Sequence, residues 1–162
     1  MQDLFTSFPT TDRNYQSHLL AQYKMYVATA EKVSDRRQKA NGYFLALNSA
    51  ILGFVGYAIP KEDSSYLWPI GIAGLTLSYL WYRIIRSFRG LNSGKFAVIA
   101  EIEEHLPLRM FAAEWAAIGA GKDPKLYLPV SHVEERVPWV FMILHLLVIA
   151  RSILPWLTRV KP

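Results

Sequence analysis

The sequence contains no cysteine. That excludes a disulfide framework, a thiolate metal site and a cysteine nucleophile. Other absences narrow the function classes further. There is no serine elbow, and no nucleophile and base stand at a spacing that would pair them. Glu101 and His105 lie at i,i+4 with Glu104 beside them, a spacing that can hold a metal. No second ligand pair accompanies them, and structural sites need three or four ligands. Gly119-Ala120-Gly121-Lys122 has a faint likeness to a phosphate loop. It lacks the full glycine spacing and the Ser or Thr after the lysine, so a plain turn is expected. No basic–aromatic pattern of an RNA- or DNA-binding module occurs. The residues therefore offer no catalytic, cofactor-binding or metal site, and the expectation is a protein that is not an enzyme and needs no cofactor.

Long apolar runs are what the sequence does have. Hydrophobic residues make up 52% of the 162 positions. They concentrate in three segments, Tyr43 to Ile59, Tyr66 to Tyr82 and Val137 to Leu157. Each is about long enough, at roughly 1.5 Å per helical residue, to cross a hydrocarbon core of about 30 Å. Aromatic rings bracket each one: Tyr43 and Tyr57, then Tyr66/Trp68 and Trp81/Tyr82, then Trp139 and Trp156. Interfacial Trp and Tyr anchor spanning helices, whereas a soluble core helix has no reason to place its rings at its ends. The first run starts near residue 43, too late for a cleavable signal peptide, so the first span is expected to act as an uncleaved anchor.

The basic residues then set an orientation. Arg13, Lys24, Lys32, Arg36, Arg37 and Lys39 precede the first run. Arg83, Arg86, Arg89, Lys95, Arg109, Lys122, Lys125 and Arg136 lie between the second and third, and the Lys61–Ser65 connection holds Lys61 alone. The positive-inside bias puts the N-terminus and the middle segment in the cytoplasm and the Lys61–Ser65 hairpin outside. Three crossings leave Thr158–Pro162 outside with Arg159 and Lys161, against the bias, and a C-terminal segment that dips in and returns is the competing topology.

A net charge of +5 needs no nucleic-acid partner, because the basic residues cluster beside the span ends. Arg36, Arg37 and Lys39 precede the first span; Arg83, Arg86 and Arg89 follow the second at spacings of three. Such residues contact anionic lipid headgroups at about 1 kcal/mol each. Generic lipid contact and a specific headgroup site are the two readings.

The segment before the first span reads as a helix. Asp12 is its candidate N-cap after Pro9. Leu19, Leu20, Tyr23, Tyr26, Val27, Ala30 and Val33 recur at spacings of three and four, one apolar stripe on a polar helix. Asp35 and Lys39 form a favourable i,i+4 pair. The stripe has to bury itself against the other cytoplasmic lobe or against a neighbouring subunit; Tyr23, Tyr26 and Val27 are the candidate oligomer contacts. Asn41-Gly42 marks a break at the membrane, or else the helix runs straight into the span. In the middle segment Ser93 is a candidate cap for a helix from about Gly94 to Leu106, ended by Pro107. Phe111 to Ile118 reads as a second short helix, Gly119 to Pro129 as loop, and Ser131 with Glu134 as a capping box leading to the third span. This lobe is too small for an independent core, so it is expected to pack on the N-terminal helix.

Polar residues inside the apolar runs carry the most functional information. Asn48 and Ser49 lie in the first, Thr76 and Ser78 in the second, His145 and Arg151 in the third. An ionisable group at membrane depth is a functional-site candidate by default. The alternatives are interhelical glue, with Arg151 snorkelling to the outer surface, or a pore or proton path in which His145 titrates from an ordinary value of about 6.5. Gly53, Gly56, Gly71 and Gly74 offer small faces for close helix contact.

The expected organisation is an all-α membrane protein with three transmembrane helices, a long N-terminal cytoplasmic helix and a small helical cytoplasmic lobe. Its parts are residues 1–41, the N-terminal helix; 42–88, a hairpin with spans at about 43–59 and 66–82; 89–136, the lobe; and 137–162, the third span and tail.

Three stretches also carry a resemblance. Gln22 to Asn48 (QYKMYVATAEKVSDRRQKANGYFLALN), Arg86 to Pro107 (RSFRGLNSGKFAVIAEIEEHLP) and Ala113 to Glu134 (AEWAAIGAGKDPKLYLPVSHVE) look like the RipA family of octameric bacterial membrane proteins. More distantly, a striped helix feeding a membrane hairpin is similar to SLATT-type effectors of antiphage systems. The resemblance implies a homo-oligomer of eight subunits in the bacterial inner membrane, without enzymatic activity, and brings no catalytic residues with it. Three function classes stand open: an oligomeric assembly with a structural or envelope-homeostasis role, a gated pore or membrane-disrupting effector, and an anchor that recruits a cytoplasmic protein partner.

Overall fold

A computed structural model describes Leu4 and residues 14–59, 66–123, 125–127 and 133–159, the last five by their backbone alone. The candidate caps Asp12 and Ser131, the Lys61–Ser65 connection and the side chains of the C-terminal tail lie outside the described residues.

Among the described residues all regular structure is helical. Helix α1 spans Tyr15–Ala58, α2 Trp68–Glu103, α3 Met110–Ala117 and α4 Val137–Arg159, with a 3-10 turn at Gly119–Gly121 between α3 and α4. α1 is 44 residues long and runs unbroken through Asn41-Gly42. A single interior glycine costs only about 1 kcal/mol relative to alanine, too little to stop a helix that packs along its length. The chain then meets Pro60, which cannot continue a helix.

α2 holds Pro69 in its first turn, where the missing N–H would have had no partner. It passes through Ser93 without interruption for 36 residues, so the separate helix capped by Ser93 is not formed. Ser is only weakly disfavoured inside a helix, and the burial of Ile99 and Ile102 beyond it holds the helical path. The end of α2 tightens into i→i+3 bonds, His105 N–H to Ile102 O at 3.0 Å and Leu106 N–H to Glu103 O at 3.2 Å, before Pro107. Gly119-Ala120-Gly121 is a turn with φ of 70°, 53° and 68° in succession, which two of the three positions adopt freely as glycine.

The expectation of three transmembrane helices is narrowed. Among the described residues only α4 contains a stretch, Val137–Leu154 with mean hydropathy 2.0, that is long and apolar enough to cross a membrane. The apolar sections of α1 and α2 are shorter and diluted by Asn48, Ser49, Thr76, Ser78 and glycines.

The chain divides into two units. The first joins residues 1–36 to 88–129 and the second joins 37–87 to 130–162, so α1 and α2 each contribute to both. In the first unit the stripe of α1 is covered by α2: Leu19, Tyr23 and Ala30 form one cluster with Ile99 and Ile102. Tyr15, Tyr26, Val27, Val98, Leu106 and Phe111 pack around it. Tyr23 is therefore buried inside the chain, with Tyr26 and Val27 half-buried beside it, so of the two partners expected for the stripe the section of α2 beyond residue 88 covers it. Lys95 sits over the Tyr26 ring at 4.5 Å and donates to Thr29 Oγ1 at 2.8 Å.

A buried carboxylate closes this unit. Glu103 is fully enclosed. Its Oε1 accepts the Tyr23 hydroxyl at 2.9 Å and the Phe111 N–H at 3.1 Å, and its Oε2 accepts the Ala112 N–H at 3.3 Å. The N-cap residue of α3, Arg109, makes no side-chain cap bond. Glu103 supplies that cap from another helix and places a negative charge at the positive end of α3. Three donors satisfy a charge that would otherwise be costly to bury.

Burial, with Glu103 accepting its proton, pushes the Tyr23 hydroxyl up to about 12. The fold thus favours the neutral phenol. Its contribution is complete below pH 10, the ordinary tyrosine value, and is lost as pH rises from about 10 to about 12. Tyr23→Phe removes a hydrogen bond to a charged group and should lower unfolding stability at neutral pH by about 1.5–3 kcal/mol. Denaturant unfolding in detergent checks this, and the gap between the two proteins should shrink between pH 10 and 12.

Candidate functional site

The second unit packs three helical sections around polar atoms. Trp81 Nε1 donates to Asn41 Oδ1 at 2.9 Å, and Ser78 Oγ to Asn48 Oδ1 at 2.8 Å. The pairing numbers run in opposite directions, so α1 and α2 are antiparallel here. Gly74 lies against His145, and Gly71 against Ile149, so α4 also runs opposite to α2.

Asn48, Ser78 and His145 come from α1, α2 and α4, and all three are fully enclosed. Asn48 Nδ2 donates to Phe44 O at 2.9 Å. Its Oδ1 accepts from Ser78, and His145 Nε2 stands 3.0 Å away. A carbonyl oxygen only accepts, so His145 is the tautomer with its proton on Nε2. Ser78 Oγ is also within 2.9 Å of Gly74 O on its own helix. One amide thus joins three helices.

His145 Nδ1 has no hydrogen-bond partner among the described residues. The reason is Gly74. A Cβ on that residue would fall 2.1 Å from His145 Cε1 and 2.3 Å from Nδ1. The ring therefore lies directly on the α2 backbone, and its bare nitrogen faces a Cα–H, a weak partner. A Cβ at Gly71 would meet the Ile149 side chain at 2.6 Å, so a second glycine one turn away serves the same close approach. Gly53 and Gly56 have open space where a Cβ would stand.

Aromatic rings stack beside this clasp. Trp81 is buried, with Phe44 stacked on it at 6.1 Å and Phe141 tilted against it at 5.8 Å. Tyr82 and Trp139 meet edge-on at 5.5 Å.

Of the polar residues singled out in the runs, three are brought together and three are not. Ser49, Thr76 and Arg151 are exposed. Thr76 Oγ1 returns to Ile72 O at 2.9 Å. Of the basic residues expected at headgroups, Arg36, Lys39, Arg83 and Arg86 are exposed, and Arg89 is half-buried. Arg83 and Arg86 each reach back four residues over a tyrosine ring and donate to its hydroxyl, Tyr79 at 3.0 Å and Tyr82 at 3.3 Å. Arg37 departs from the set: its Nε is 3.4 Å from Glu134 Oε2 and both side chains are largely covered. Arg37 thus has an ion-pair partner within the chain. Sequence reasoning missed this pair, the Asn41–Trp81 bond and Glu103. A polar residue flanked by apolar positions on its own helix was the available signal for Glu103, in the Ile99–Ile102 stretch.

A family model, Octameric membrane protein family (8xMP), matches residues 20–154. The chain belongs to this octameric membrane protein family. The match supports the broader family and not the narrower RipA label. No curated protein and no solved structure matches the chain. In an octameric membrane protein, a polar cluster enclosed between helices reads first as the fastener of the subunit itself. Interhelical hydrogen bonds at membrane depth contribute about 0.6 kcal/mol on average and up to about 2 kcal/mol.

Gly74→Ala should force the His145 ring off α2 and break its bond to Asn48, at a cost of about 1–3 kcal/mol from overpacking. Gly90→Ala, also inside α2 but facing open space, should be neutral or slightly stabilising. Thermal melts of the two variants in the same detergent make the comparison.

Proposed function

We propose that this protein is a non-enzymatic subunit of a closed ring of eight in the bacterial inner membrane, with a structural or envelope-homeostasis role. In this reading the apolar sections of α1 and α2 cross the bilayer together with α4, the N-terminus and the residue 88–129 region lie in the cytoplasm, and the Lys61–Ser65 connection lies outside.

One observation carries the reading: the second unit encloses polar side chains while exposing large apolar ones. Asn48, Ser78, His145 and Ser152 are inside with Val55, Leu67, Trp81, Ile85 and Met142, while Phe54, Tyr57, Ile72, Leu80, Ile143, Leu147 and Leu154 are exposed, on all three helical sections. In water such a surface would be an association liability of unusual size. In hydrocarbon it is what the solvent demands, and the polar groups have to find each other. Two weakly apolar sections held to α4 by a buried clasp are supported as spans by that arrangement, although each alone is marginal. Family membership supports the subunit number, and head-to-tail contacts close into rings.

The alternative is a gated pore or a membrane-disrupting effector. A conducting axis needs polar lining, because an apolar constriction dewets. The exposed Ser49 and Thr76 are available for that, whereas His145 is enclosed by its own subunit. Conductance in planar bilayers that changes on acidification and loses that dependence in His145→Ala would favour the pore.

The cysteine-free sequence makes the topology directly testable. Ser64→Cys should react with a membrane-impermeant maleimide on intact spheroplasts, and Ser93→Cys only after permeabilisation. A Ser64→Cys protein that reacts only after permeabilisation contradicts the hairpin crossing. Mass measurement in mild detergent should give eight copies; a persistent monomer contradicts the ring.

A further inference from the structure

The second unit carries an apolar groove of about 330 Å³ between α1 and α4. Leu52, Gly56 and Ile59 form one wall; Leu144, Leu147 and Arg151 are on the other. Val55 and Val148 complete the i, i+3, i+4, i+7 ridge on each helix. From Leu52 to Ile59 the groove rises about 10 Å along α1. Gly56 gives it depth, since a Cβ there would meet nothing within 4 Å.

Arg151 is the one charged group of this lining. It is exposed, it stands within a turn of the end of the apolar stretch Val137–Leu154, and no described residue forms an ion pair with it. The three apolar runs contain no Asp or Glu. A spanning helix of a second copy laid in the groove would therefore cover a guanidinium without supplying a counter-charge, a costly arrangement. The groove's walls ask for hydrocarbon and its end asks for an anion. Arg is suited to the second task, because its planar fork takes phosphate oxygens two at a time.

We propose that this groove binds one anionic phospholipid per subunit, with an acyl chain along the Leu52–Ile59 wall and the phosphate on Arg151. The inference rests on the membrane reading of the second unit. It differs from the headgroup contacts expected of Arg36, Lys39, Arg83 and Arg86, none of which lines this groove.

The test uses the full-length protein, delipidated in detergent and titrated with dioleoyl phosphatidylglycerol or dioleoyl phosphatidylcholine, with bound lipid per subunit read by native mass spectrometry. Wild type should retain one phosphatidylglycerol per subunit, about fivefold tighter than phosphatidylcholine, the effect of one surface cation on an anionic lipid. Arg151→Gln should abolish that preference, and Arg151→Lys should restore most of it. Gly56→Leu, which fills the groove, should weaken both lipids while the helical circular dichroism is unchanged.

A preference that survives Arg151→Gln, or binding indifferent to Gly56→Leu, overturns the proposal. So does loss of the oligomer in Gly56→Leu with no change in lipid bound, which would make the groove a contact between copies. Glu62 and Asp63 follow α1 in the sequence. If wild type shows no preference and Glu62→Gln/Asp63→Asn gains one, Arg151 is held by the chain itself and the proposal fails. Reconstitution into vesicles of the same two lipids separates the two levels: protein that does not partition at all defeats the membrane reading, and protein that partitions without selectivity defeats the lipid site alone.

Discussion

In the membrane placement we propose, hydrocarbon offers no partner to a polar atom, and the second unit answers that constraint. Asn48 carries two donors and an acceptor with two lone pairs. One donor goes to the backbone of its own helix, and the carbonyl takes one bond from each of the other two helices. Remove the carbonyl, and Ser78 and His145 each lose a buried partner. Gly74 belongs to the same device, because the His145 ring reaches Asn48 only by lying on bare backbone. Around this clasp Val55, Trp81, Ile85 and Met142 are also buried, while Leu147, Ile143 and Phe54 lie on the outer face.

The first unit solves the opposite problem. Here a stripe of apolar side chains closes on α2 in the usual inward sense, and the polar exception, Glu103, is buried with three donors. The carboxylate fixes Tyr23 of α1 and the start of α3 to the end of α2. An eight-residue helix with no buried residue of its own is too short to be stable in isolation. The cap from Glu103 and the packing of Phe111 on Phe96, at 5.6 Å edge-on, give α3 its place.

Much of this was legible in the sequence, and the exceptions have physical causes. The stripe from Leu19 to Val33 announced a helix and a buried face, because a period of three and four survives any change of partner. What it could not specify was which of the two expected partners, the chain's own lobe or a neighbouring subunit, would cover it, and α2 of the same chain does so. Asn48, Ser78 and His145 stood out individually as polar residues in apolar runs. Their meeting was not legible, since one-dimensional spacing does not fix the register between helices; Ser49 and Thr76 looked equivalent and point away. Ser93 misled because a good capping residue is a cap only where the helix stops, and packing beyond it kept the helix going. Glu103 and Arg37 were hidden for a similar reason: a charge in a mixed sequence looks solvated until its partners are in view.

A density map of the purified protein in lipid tests the central claim most directly, because it reads the number of subunits, the helices in the bilayer and the direction of the polar side chains together. The result expected is eight copies, each placing three helical sections in the membrane, with Asn48, Ser78 and His145 in contact inside each subunit and away from the central axis. A map in which only α4 enters the bilayer, or in which Asn48 and His145 line a shared axis, would contradict it.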